Sequence, residues 1–387
     1  DTAHVLDIEN RVPRFETFYA QATAKPVDAD ARFALWQKED GLAAVPPGPD
    51  GDAMARQLLD AAWVRYPALV PQLPALTTVA EEQGRASFDK INALLDTKDV
   101  PIRTRLILYV GQFDNNAFTM PSMDGKPVTV LMPVENAILK IALAHELTHS
   151  VHIQLAHVLN SFGAPVGETM FLEGLAMRTS QAAVPGLPET AYTQIDPNDH
   201  WLANCYAKQD AVLKGILPDL DNSGQAIGMK YTFGQGNTGM QREAYCAAWI
   251  VMGKLIASGK TLPELARIPE DKMVGTIRAE MGANCLGVRF GRVGFRRLCR
   301  WCGLCRICRR SGDRLRRFVI AVLDLFCRLL SINEGRQHVP DQEAHRDVKP
   351  DIDRLPCRER YGQSFLFLGC GADFLGARGT IDIEIIA

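Results

Sequence analysis

His145-Glu146-Leu147-Thr148-His149 constrains this chain more than any other stretch. An α-helix advances about 100° per residue, so side chains four apart share a face. His145 and His149 aim at one point only if the segment is helical, and the flanking sequence favours that. Ala137 to His157 is rich in Ala, Leu and Ile and contains neither Gly nor Pro. Two imidazoles on one face of a rigid helix suit zinc, which takes His nitrogen at about 2.0–2.1 Å and keeps an open position in catalytic sites. Glu146 follows the first histidine, projects beside the same point and can take a proton from water there.

Such a site needs a third ligand. The extended motif with Gly and His at later positions is absent, because His152 and Leu155 stand there. A downstream carboxylate is the other source. Phe171-Leu172-Glu173-Gly174-Leu175-Ala176 offers Glu173, beyond a loop at 160–167 that reverses the chain. A second helix is expected to start near Glu168, with Gly174 and Ala176 small enough to let it pack closely against the first. Glu168 is the rival ligand, but a carboxylate at a helix start is already explained by the helix dipole. His152 shares the metal-facing side approximately and reads as a packed histidine rather than a ligand. His157 reads as a solvated or capping residue.

The run His145–His149 followed by Glu173-Gly174-Leu175-Ala176 resembles the gluzincin group of zinc metallopeptidases. Within that group it is most similar to poorly characterised zinc-dependent proteases whose third ligand lies in an E-G-L-A segment. The motifs cover residues 145–177, with a looser likeness in element order over about 10–280. The resemblance implies Zn²⁺ held by His145, His149 and Glu173, with Glu146 as general base. It implies hydrolysis of peptide bonds in a peptide or protein substrate. It also implies an α+β, zincin-like fold, mainly helical, with a small β-sheet bordering the active-site cleft. Many members carry an acidic residue four positions after the glutamate ligand; this chain has Met177 there. A non-catalytic zinc module is the competing reading, and an intact Glu146 argues against it, since structure alone needs no base.

The remaining elements follow from periodicity and breakers. Residues 1–24 read as helix, with Val12, Phe15, Phe18 and Tyr19 at helical spacing, and Ala31 to Gln37 continues the pattern. Residues 46–51 are a Pro/Gly loop. Helices are expected at about 52–65 and 76–96. Arg105 to Gly111 is the first convincing strand, and Asn116–Met120 with Val128–Met132 forms a hairpin about Asp124-Gly125. In the group that the chain resembles, that order places an edge strand over the cleft, where an extended peptide can add by main-chain hydrogen bonds. Asn116-Ala117-Phe118 is the candidate substrate-facing segment. A further helix carries Trp201 and Cys205, Gly234–Asn237 is a loop, and Arg242 to Ala257 is a strong helix. A hydrolase of this kind needs a donor for the oxyanion. Tyr245 is the favoured supplier, with Arg242 and His200 as alternatives. Cys205 and Cys246 either pair, as in an exported protein, or remain two buried thiols.

Composition bounds the rest. An apolar fraction of 47% is ample for a core, and a net charge of −2 argues against bulk nucleic-acid affinity. No apolar run is long enough for a membrane span. The first residue is Asp rather than Met, which fits a processed product or a fragment; removal of an export signal to the periplasm or exterior is one explanation. Oligomeric state is not legible. The chain divides into an N-terminal helical region (1–100), a zinc-peptidase region (101–284) and a tail (285–387). Residues 1–284 hold 12 Arg, 12 Lys and 2 Cys, whereas 285–387 hold 18 Arg, 1 Lys and 8 Cys. Arg and Cys replacing Lys together is what a GC-rich gene yields out of frame, so the tail is expected to be a frameshifted extension. The alternative is a genuine accessory segment binding nucleic acid, membrane or a cluster. Cys299, Cys302, Cys305 and Cys308 are spaced for iron–sulfur ligation but lack the longer last gap and the following Pro of the ferredoxin pattern.

Overall fold

The computed structural model describes residues 3–25, 27–45, 49–121, 127–159, 163–193 and 199–283. The Arg/Cys tail and the Asp124-Gly125 turn lie outside the described residues. Apolar side chains at helical spacing dominate the described residues, which form a mainly helical α+β structure with a four-stranded mixed sheet. The strands are β1 (Val5–Asn10), β2 (Arg103–Tyr109), β3 (Phe118–Met120) and β4 (Val128–Pro133). Helices α1 (Val12–Ala24), α2 (Ala29–Glu39), α3 (Pro49–Trp63), α4 (Tyr66–Leu69) and α5 (Leu73–Leu94) lie between the first two strands. After the sheet come α6 (Leu139–Ala156) and α7 (Val166–Ala183). Short helices α8 (Thr190–Thr193), α9 (Trp201–Ala207), α10 (Gln209–Ile216) and α11 (Gln225–Thr232) lead to α12 (Glu243–Ala257), α13 (Leu262–Ala266) and α14 (Glu270–Ala283).

The chain's start departs from expectation. Residues 5–10 form a strand, not the first turns of a helix. Leu6 and Ile8 turn toward the core while Val5 and Asp7 are exposed, and Ile8 lies opposite Leu106 in a parallel ladder with β2. Six half-polar residues carry little strand signal alone; a partner nearly a hundred residues away supplies the backbone hydrogen bonds. The Asn10 side chain then accepts from the Val12 N–H at 2.9 Å, which starts α1.

The sheet order is β1-β2-β4-β3, with β1, β2 and β4 parallel and β3 antiparallel to β4 at one edge. All six residues of β4 are buried, as a parallel central strand covered on both faces requires. Residues before and after position 100 share one hydrophobic core, in which Phe15, Phe18, Leu73 and Ile91 join Leu106, Leu147, Phe171 and Trp249. Helix α6 lies across the sheet. Thr104 and Ser150 meet through their hydroxyls at 2.6 Å, and the Arg103 N–H donates to Gln154 Oε1 at 2.9 Å. Leu143, Leu147 and Val151 of α6 are fully buried, and each aliphatic side chain of this size contributes about 1.5–3 kcal/mol. The helix ends at His157, whose left-handed backbone (φ 56°) closes the last turn, with its N–H donating to the Ile153 carbonyl.

Helix α7 packs between α6 and α12. Gly174 serves the second contact, not the first as its sequence position suggests. A Cβ there would sit 2.9 Å from the Ala248 carbonyl oxygen and 3.1 Å from Met252 Cβ, both on α12. Cys205 and Cys246 form a disulfide with Cα atoms 5.6 Å apart, which ties α9 to α12. No described helix is long and apolar enough to cross a membrane.

Candidate metal centre

Helical spacing brings His145 and His149 together as expected. Their Nε2 atoms lie 3.1 Å apart on α6. From α7, Glu173 Oε2 comes within 3.1 Å of His145 Nε2 and 3.6 Å of His149 Nε2. The three ligand atoms lie within 4.8 Å of one another, a group that can hold a metal ion. The chemistry of the donors fits a dication. Two imidazole nitrogens 3.1 Å apart have room for one proton between them, and both face a carboxylate. A doubly charged ion satisfies all three lone pairs at once. Glu173 is 4% exposed, and burial disfavours its charge; the two histidines outweigh burial and hold its carboxyl well below the usual range. Burial likewise opposes the His149 cation, but the facing Glu173 charge overrides it and moves His149 upward.

Glu146 lies on the sheet side of α6. Thr119 of β3 puts its hydroxyl 2.8 Å from Glu146 Oε2 and 3.0 Å from the Glu146 carbonyl oxygen. Burial pushes the Glu146 carboxyl up, partly offset by His145, His149 and the Thr119 hydroxyl. The group is thus a stronger base than an exposed carboxylate while keeping a hydrogen-bond donor.

Tyr245 and Arg242 both come from the start of α12. Tyr245 is buried; burial and the Glu173 charge raise its phenol far above the usual value, with a further push from Glu146. The ring therefore lies within electrostatic reach of Glu173 and Glu146, and it carries a proton. Arg242 stacks on it at 4.1 Å and faces Trp201 at 5.4 Å, and its Nη1 donates to the Thr193 carbonyl at 3.2 Å. Arg242 itself takes a left-handed backbone (φ 57°) to begin the helix. His200, the third candidate donor, sits exposed at the N-cap of α9.

Glu168 and His152 are separated from the metal group. Glu168 is buried in the first turn of α7, where burial and the adjacent Glu270 carboxylate push it up to about 8. His152 is fully buried against Phe171, with ring centroids 5.8 Å apart. Burial, helped by His149, drives its pKa down to about 3, so the ring is neutral. Of the candidate docking segment, Asn116 and Ala117 are buried, and Asn116 donates to the Ala44 carbonyl at 3.3 Å. The edge strand proper is Phe118–Met120.

The class that these observations define is a mainly helical α+β protein with two part-buried histidines and a buried carboxylate converging from neighbouring helices. No protein-family model, curated protein or solved structure matches the chain.

Proposed function

We propose that this protein is a zinc-dependent peptidase of zincin-like architecture. The observation that carries the reading is the convergence of His145, His149 and Glu173 beside a buried Glu146 that keeps one carboxylate oxygen on a hydroxyl donor. A purely structural metal site needs the three ligands and no base. Zinc at such a set supplies Lewis acidity, polarising a carbonyl and acidifying water.

The chain's own residues do the rest. His145, His149 and Glu173 hold the ion. Glu146, raised by burial, accepts a proton from water on its carboxylate and returns it to the leaving amine nitrogen as the C–N bond breaks. Tyr245 keeps its phenolic proton and donates to the oxyanion. Arg242, stacked on that ring, fixes its place and adds positive charge nearby. Strand β3 is the sheet edge beside Glu146, suited to receive an extended peptide by main-chain pairing. The Cys205–Cys246 disulfide supports an exported location, where such bonds persist.

The test is cleavage of a quenched-fluorescent peptide pool by zinc-loaded full-length chain. The reading expects turnover that chelation removes and that Glu146→Gln suppresses. Equal turnover by Glu146→Gln and the parent would reject it.

A further inference from the structure

We propose that Thr119 is the positioning residue of Glu146, so that the sheet's edge strand sets the orientation of the general base. The inference rests on the reading of Glu146 as base. Thr119 is the middle residue of β3, paired with Val130 of β4, and 5% exposed. Its hydroxyl faces two acceptors of the same residue, Glu146 Oε2 at 2.8 Å and Glu146 O at 3.0 Å. A hydroxyl has one hydrogen to give. Within a helix the carbonyl at position i already accepts from the N–H at i+4, whereas Oε2 is a side-chain acceptor and the nearer of the two. The hydrogen therefore goes to Oε2.

The donor is also stiff. A β-branched side chain in a strand has few χ1 choices, and the pairing of β3 with β4 holds its backbone. Glutamate has three rotatable side-chain bonds, so without that donor its carboxylate is free to leave the metal side. Alternation along β3 puts Thr119 on the face toward α6 and its neighbours Phe118 and Met120 on the other. A peptide adding to β3 would thus lie along the strand that carries the base's anchor. Substrate register and base position share one rigid reference, and a small misplacement of a catalytic group can cost about 10²-fold in rate.

The test uses full-length, zinc-loaded chain in four forms: parent, Thr119→Ser, Thr119→Val and Thr119→Ala. Serine keeps the hydroxyl. Valine replaces it at constant shape, and alanine deletes it without added bulk should valine disturb the strand. The expected result is a fall in kcat of about 10-fold to 10²-fold for Val and Ala with KM nearly constant, and near-parent kcat for Ser. Zinc content stays unchanged in all four. A Val or Ala variant with parent kcat, or a Ser variant as impaired as Val, overturns the proposal. Crystal structures of the parent and the Val variant form an arm that needs no activity. A Glu146 carboxylate displaced in the variant supports the role, and one that keeps its place overturns it. If the parent cleaves no peptide, the peptidase reading fails and the two structures alone judge Thr119.

Discussion

Helix α7 carries two buried glutamates five residues apart, and they live in opposite electrostatic worlds. Five residues rotate a helix by about 500°, so the side chains point about 140° apart. Glu173 faces two histidines and stays ionised against the cost of burial. Glu168 faces Glu270 and holds its proton up to about 8. Helix α6 repeats the contrast three residues apart, with His149 moved up and His152 down to about 3. Burial acts on all four, and it prevails at Glu168 and His152, where no opposite charge answers it. At Glu173 and His149 a facing opposite charge overrides it. The lone pairs of His145, His149 and Glu173 converge on one point, while Glu168 and His152, buried nearby on the same helices, are neutral.

The strongest way to break that contrast is to remove a converging group. Glu173→Ala or His149→Ala should weaken zinc affinity by more than about 100-fold, since even outer partners of metal ligands are worth 10–100-fold. Competition with a chromogenic chelator measures it. Glu146→Gln should separate holding from chemistry: metal affinity stays near the parent's while peptide turnover falls by about 10²–10⁴-fold. Tyr245→Phe should lower kcat by about 10²–10³-fold with little change in KM, because it removes a donor used in the transition state and keeps the ring. If Tyr245 is only a core aromatic, kcat holds and the melting temperature carries any loss.

Glu168 provides the smallest and most specific effect. Its ordinary value is 4.5 and its folded value is raised to about 8. Between those limits the folded chain keeps a proton that the unfolded chain has lost. The stability associated with this group is therefore full below about pH 4.5 and falls as pH rises toward 8. Glu168→Gln removes that dependence. Its melting temperature should exceed the parent's by a few degrees at pH 8 and match it near pH 4.5, as read by thermal melts across that range. Zinc content should not change. A variant that loses zinc would make Glu168 a ligand and erase the contrast.

Sequence periodicity made the convergence of His145 and His149 legible because i, i+4 spacing on a Gly- and Pro-free segment leaves little freedom in where two histidines point. Helices α3, α5, α6, α7 and α12 follow from the same kind of pattern. Other features depend on distant partners. Strand β1 alternates over residues 6–9 only, a run so short that its pairing with β2 is what fixes it as a strand. The contact made by Gly174 needed the position of α12, a helix that starts about seventy residues later. Thr119 looked like any strand threonine until β3 was set against α6. Arg242 was visible only as one of three possible donors; its stacking between Tyr245 and Trp201 comes from a helix start and the disulfide that draws α9 toward α12. Sequence separates Glu168, at a helix start, from Glu173, in the E-G-L-A run, but the charge each carries depends on what α6 and α14 bring to it.

The most direct measurement is zinc stoichiometry by elemental analysis on the full-length parent, Glu173→Ala and Glu168→Gln, each dialysed against the same zinc buffer and then against a weak chelator. The account predicts one zinc per chain for the parent and for Glu168→Gln, and almost none for Glu173→Ala. Full zinc in Glu173→Ala, or loss of zinc in Glu168→Gln, would contradict it.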